Sequence, residues 1–192
     1  MSEVKLVALV LILNLVLSCQ ESKDKTAVIK KIQIENYIDS VTIKFPGFKS
    51  NSLINEELND FLKEDFKIAI DSGILLDLPF KLYKVEKCNN KYVLKLQHSL
   101  TSKLYKRGIL NQIELDLYAF TDEQTAKSLR EDLFYTVDVR FIEYITFNNN
   151  EKFCARVLSS PFMGYYKFDD EIKFGAIGVE LKNINLISQI QP

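Results

Sequence analysis

Tryptophan is absent from this 192-residue chain, and histidine occurs once, as His98. The first absence leaves the aromatic part of the core to phenylalanine and tyrosine, 13 and 9 of them. The second removes most transition-metal chemistry, because such a site gathers several His or Cys ligands at short spacing. Charge of one sign is lacking too: 25 Lys and Arg stand against 26 Asp and Glu, for a net charge of −1. Acids and bases are interspersed, so there is no basic footprint for nucleic acid and no polybasic patch for anionic lipid. The chain has no GxGxxG, no P-loop and no CxxC, and no nucleotide, redox or other cofactor is expected.

A long hydrophobic run is also missing. The greasiest stretch, Leu6 to Leu17, is about twelve residues. A helix needs about 20 apolar residues to cross hydrocarbon, whereas a signal-peptide h-region needs only about 7–15. Lys5 precedes the run, and Glu21, Lys23, Asp24 and Lys25 follow it closely. It ends in Val16-Leu17-Ser18-Cys19, which resembles the lipobox of bacterial, spirochaete-like lipoproteins. That resemblance implies cleavage after Ser18 and acylation of Cys19 with palmitate-class chains. Each buried methylene contributes about 0.8 kcal/mol, so two or three chains would hold the protein to a membrane permanently. The other readings are a plain secretory signal or an uncleaved anchor. Glu3 leaves little positive charge ahead of the run, and Leu17 is bulkier than the small residue usual there. Gln20 is not the aspartate that retains many lipoproteins at the inner membrane, which favours the outer membrane or cell surface.

The expected organisation is therefore a signal peptide over 1–18, a lipidated cysteine with a polar tether over 19–27, and one domain over 28–192. The 174 residues from Cys19 onward suffice to bury roughly 70% of the unfolded chain's surface. Two cysteines remain, Cys88 and Cys154, each beside an Asn-rich turn (Asn89-Asn90 and Asn148 to Asn150). An extracytoplasmic compartment permits them to pair. Two buried free thiols are the alternative.

Along the domain, Val28, Ile32 and Ile34 are read as one strand. Ile38, Val41, Ile43 and Phe45 are read as a second, closed by a Pro46-Gly47 turn. Ser52 to Ser72 then has apolar residues at three- and four-residue spacing, with Asn51 or Ser52 to cap it and Gly73 to end it. This predicts a long helix. Alternation predicts strands around Phe80 to Glu86 and Tyr92 to Leu96, joined by Asn89-Asn90, and another over Ile113 to Ala119. Thr121-Asp122-Glu123-Gln124 signals a second helix of roughly Asp122 to Phe134. Further strands are expected over Tyr135 to Phe147, Phe153 to Leu158, Tyr165 to Phe168 and Ile172 to Leu181. Gly175 and Gly178 mark a bulge or a close packing contact. The whole predicts an α+β domain, an antiparallel sheet with one long and one shorter helix packed on it.

Catalytic constellations are scarce. His98 has no nucleophile-elbow serine near it, although Ser99 adjoins it, and it reads as a surface or hydrogen-bonded strand residue. Asp169-Asp170-Glu171 lacks the spaced acids and central glycine of a calcium loop. Three consecutive acids also differ from the facing pair that glycoside hydrolysis needs. Phe162, Met163, Tyr165 and Tyr166 cluster around Gly164 after Pro161. They are either a partner-binding loop or strand residues buried in the sheet.

A further resemblance concerns the body. Ile43-Lys44-Phe45-Pro46-Gly47-Phe48, followed by Ile54-Asn55-Glu56-Glu57-Leu58-Asn59, resembles an extracytoplasmic domain of lysozyme-sensing RsiV-type anti-sigma factors. The same domain precedes the catalytic domain of some peptidoglycan deacetylases. Leu117-Tyr118-Ala119-Phe120, Thr125 to Leu129 and Asp132-Leu133-Phe134 are similar to later blocks of that family. The chain departs from it at Tyr105-Lys106-Arg107-Gly108, with one glycine and no histidine, and at Ala126, where a turn glycine is usual. The resemblance implies a ligand-binding module, with a lysozyme-like protein or cell-wall glycan as ligand, and transfers no catalytic residue.

The function expected from all this is a lipid-anchored, non-enzymatic binding module. Its partners would be the membrane through its lipid, and an envelope or host protein or a cell-wall glycan. A structural or assembly accessory of the envelope is the alternative, ahead of a cell-wall hydrolase.

Overall fold

The computed structural model describes residues 32–98, 113–155, 164–165 and 172–187. Residues 1–31, where a signal peptide and tether are expected, and most of the 162–171 segment lie outside these. Two helices come first. Helix α1 spans Gln33–Lys44 and α2 spans Ser52–Asp71. The α1 segment corrects the strand reading of Ile32 to Phe45. Its buried residues Ile34, Ile38 and Val41 are spaced by four and three, a helical stripe, while Ile43 is 79% exposed. Two strands would have placed Ile43 on the face of Val41. The helix entry is fixed by Glu35, whose Oε2 accepts the Ile32 amide at 2.8 Å.

The turn at Pro46-Gly47 is present, with Gly47 at φ +84°. The long helix predicted after it is α2. The Asn51 side chain accepts the amides of Leu53 and Ile54, and Gly73 follows the C-terminus in the left-handed region. Leu58, Leu62, Phe66 and Ile70 form its buried edge. Phe66 stacks on Phe174 with ring centroids 4.0 Å apart. Between the helices, Phe45 packs on Phe61 at 5.3 Å and Lys44 lies 3.6 Å over the Phe61 ring.

The strands are β1 (Phe80–Cys88), β2 (Lys91–His98), β3 (Ile113–Thr121), β4 (Phe134–Tyr144), the two-residue β5 (Gly164–Tyr165) and β6 (Ile172–Leu186). A short helix α3, Glu123–Ser128, joins β3 to β4. It is capped by Asp122, whose carboxylate accepts the Thr125 amide and hydroxyl at 2.8 and 2.7 Å. The helix expected to run on to Phe134 stops six residues earlier because the chain is needed in the sheet. Leu82 exchanges backbone hydrogen bonds with Leu133 and Asp132, and Phe134 already pairs with Lys81.

The α+β class holds, but the sheet is mixed rather than antiparallel. Pairs β1–β2, β2–β3, β4–β6 and β1–β4 are antiparallel, while β3 and β6 run parallel from Ile113↔Ile172 to Phe120↔Glu180. The pairings therefore close a ring, β1-β2-β3-β6-β4-β1, the arrangement of a small Greek-key barrel. The ring is narrowest between β1 and β4, where only Phe80↔Tyr135 and Lys81↔Phe134 pair. Helix α2 lies against β4. The Tyr144 hydroxyl donates to the Lys63 carbonyl at 2.8 Å, and the Phe141 amide donates to Asp71 Oδ1 at 2.7 Å. Inward residues of the strands, among them Leu82, Leu94, Leu96, Leu115, Leu117, Val137 and Val179, share one core with the buried edges of α1 and α2. Among the described residues no helix is long and apolar enough to cross a membrane.

Candidate functional site

The outward face of β1, β2 and β3 follows from alternation. On β3, Ile113, Leu115, Leu117 and Ala119 turn inward, which sends Glu114, Asp116, Tyr118 and Phe120 outward. The β2–β3 register sets Gln97 directly opposite Asp116 and Lys95 opposite Tyr118. A β-bulge in β1 between Leu82 and Lys84 leaves Tyr83 more than half exposed beside them. Together Tyr83, Lys95, Gln97, Asp116 and Tyr118 line a cavity of about 350 Å³, floored by Leu96 and Leu117.

The electrostatics of this cavity centre on Asp116. Burial pushes its carboxyl up to about 6; Gln97 hydrogen-bonds to it in opposition, and the charge of Glu114 adds to the rise. Its Oδ1 is buried with no hydrogen-bond partner. Burial, followed by the charges of Asp116 and Glu86, also raises the Tyr118 hydroxyl above the usual phenol range. At the rim Glu86 accepts from Lys84 and Lys95, each at 3.1 Å. Against the cost of burial, these two ammonium groups hold the Glu86 carboxyl below its ordinary range.

Lys95 also ties the cavity wall to a neighbouring loop, donating to the Cys154 carbonyl at 2.7 Å. That loop, 145–155, contains the 3₁₀ turn Asn150–Phe153, where a strand starting at Phe153 was expected. Phe153 is instead buried on the outer face of the barrel, stacked on Phe120 at 5.0 Å and clustered with Ile145, Ala155 and Ala176. Gly178 is what admits it. A Cβ there would lie 2.1 Å from the Phe153 ring. Gly175, by contrast, sits at φ +75° where the β3–β6 register shifts. Cys88, the last residue of β1, is disulfide-bonded to Cys154, with Cα atoms 5.8 Å apart. Cys154 itself is in the left-handed region at φ +49°.

The other residues singled out in the sequence fall elsewhere. His98 is buried at the end of β2, with Nδ1 2.8 Å from the Pro79 carbonyl and its ring against the Phe80 edge. It does not line the cavity. Tyr165 pairs with Ile172 through its backbone in β5. Cys19, Ser99, Phe162, Met163, Tyr166, the Tyr105 to Gly108 stretch and the Asp169 to Glu171 cluster lie outside the described residues. Among the described residues no three His, Cys, Asp or Glu side chains converge as a metal site would require. Sequence reasoning gave Asp116 no functional weight. It appeared as one polar residue in an alternating strand, and only the register opposite Gln97 makes it a buried acid. No protein-family model matches the chain, and no curated protein or solved structure is significantly similar to it.

Proposed function

We propose that the chain is a lipid-anchored extracytoplasmic lipoprotein whose folded body is a non-enzymatic binding module for a component of its cell envelope or surroundings. The observation that carries this reading is how the three cysteines are used. Cys19 follows a short h-region and a small residue, while Cys88 and Cys154 are spent on each other. Disulfides persist in oxidising compartments and are rare in the cytosol. The bond thus supports the same side of the membrane as the signal-like segment. Binding rather than catalysis is supported by the cavity on the β1–β3 face. Among the described residues Asp116 is the one carboxylate lining it, and His98 is turned to a backbone carbonyl elsewhere.

Metabolic labelling with an alkyne fatty acid tests the anchor. The wild-type chain should carry the label and partition into detergent, and Cys19→Ala should lose the label entirely. Continued labelling of Cys19→Ala would refute it. Non-reducing mass mapping of protein purified from membranes should recover the peptides of Cys88 and Cys154 as one linked species.

A further inference from the structure

We propose that the cavity framed by Tyr83, Gln97, Asp116 and Tyr118 is a binding site for a neutral saccharide. This deepens the binding-module reading and rests on it. The cavity's size falls at the small end of the roughly 300–1,000 Å³ typical of ligand pockets, enough for part of an oligosaccharide. Its polar groups match hydroxyls, which both donate and accept. Asp116 offers acceptor oxygens, the Gln97 amide donates and accepts, and the tyrosine hydroxyls do both. The Asp116 Oδ1 is an acceptor stripped of water and left without a donor. A ligand hydroxyl directed at it would recover the desolvation already incurred. Tyr83, 57% exposed, presents a ring on which the C–H face of a pyranose can lie.

Competing ligands fit less well. A cationic ligand would be repelled by the ammonium groups already beside these rings, a repulsion that a neutral sugar does not meet. Lys81 Nζ lies 5.1 Å from the Tyr83 ring centroid, and Lys95 Nζ lies 5.8 Å from that of Tyr118. An extended peptide would dock by adding a strand to a free edge. Yet β2 and β3, which carry Gln97 and Asp116, are each paired on both sides. A phosphate chain would meet the Asp116 carboxylate. Hydrolysis of a bound glycan would need two facing carboxylates. Neither Glu114, 3.3 Å from Lys173 Nζ, nor Glu86, held by Lys84 and Lys95, is among the residues lining the cavity.

Isothermal titration of the full-length lipidated protein in detergent micelles tests this. The probes are a β-1,4-linked N-acetylglucosamine tetramer, its glucose counterpart and an oligolysine peptide. At least one saccharide should bind. Tyr83→Ala, at an exposed position, and Asp116→Ala should each weaken it at least tenfold, while Ile43→Ala, on the exposed face of α1 and outside the cavity lining, should leave it unchanged. Affinity should also fall as pH is lowered through about 6, where Asp116 takes up its proton. Four results would overturn the site: no binding of either saccharide, equal affinity in both cavity variants, Asp116-dependent binding of oligolysine alone, or shortening of the tetramer by the wild-type protein. Fatty-acid labelling of the same preparation separates the two ideas. Saccharide binding absent with Cys19-dependent labelling intact removes the ligand and leaves the anchor. Saccharide binding with label persisting in Cys19→Ala does the reverse.

Discussion

The Asp116 carboxylate loses water on folding and receives only Gln97 in return. Its carboxyl moves from an ordinary value of 3.8 up to about 6, so the ionised group opposes folding. The penalty is fully present above pH 6, shrinks as pH falls, and is gone below about 4, where both folded and unfolded forms are protonated. Asp116→Asn should therefore stabilise the protein at pH 7 by about 1–3 kcal/mol. Urea unfolding at pH 7 and pH 3.5 measures this, and the gain should vanish at the lower pH. Stability gained together with saccharide affinity lost is the pattern of a residue retained for binding. Gly178 supports a second prediction at this scale. Gly178→Ala drives a methyl into the Phe153 ring and should cost about 1–3 kcal/mol. In a Phe153→Ala background, where that ring is gone, the same substitution should cost almost nothing, a coupling that a double-mutant cycle reads directly. The sequence offered a bulge or a close contact for the paired glycines, and the fold uses one for each purpose. What could not be read was the partner, since Phe153 lies 25 residues away and was expected in a strand.

Elements were legible where period and punctuation agreed. For α2, a clean apolar stripe, an Asn cap and a terminal glycine all pointed the same way, and its bounds were close to right. For α1 they conflicted. Its β-branched Ile and Val residues favour a strand, whereas the four-then-three spacing of Ile34, Ile38 and Val41 favours a helix. Substitution separates the two pictures. Ile38→Ala should cost about 2–5 kcal/mol. Ile43→Ala, on the solvent side of the helix, should stay within about 0.5 kcal/mol. Comparable losses at both sites in thermal melts would favour a strand. The short α3 failed for a different reason, because the demand of β1 for a partner overrode a locally helical sequence. The loop over the barrel's outer face is held by Phe153 from below and by the Cys88–Cys154 bond at its end. Opening that bond with paired serines should cost about 2–5 kcal/mol in denaturant unfolding. It should also loosen the Lys95–Cys154 tie beside the cavity.

At the scale of the molecule, the α+β class was legible because helical and alternating segments separate along the chain. The closure of the sheet was not. Alternation says which face of a strand is apolar, but nothing local says that β6 runs parallel to β3 on one side and antiparallel to β4 on the other. Such a ring concentrates protection unevenly. Amides of Leu94, Leu117 and Ile177, in strands paired on both sides, should exchange only on global unfolding. Those near Phe80 and Tyr135, at the narrow β1–β4 seam, should open more easily. Hydrogen-exchange mass spectrometry on overlapping peptides distinguishes them, and uniform protection around the ring would contradict this picture.

The double pairing of β6 also bears on how the chain is made. Among the five long strands it leaves the ribosome last, and it alone pairs with both β3 and β4. Until Ile172–Leu186 emerges, β3 lacks one of its two neighbours and the nascent polypeptide cannot settle into its final topology. Under the export proposed above, that delay would be useful. The incomplete chain would stay threadable through a translocon and lock shut only after the greater part of it had been delivered.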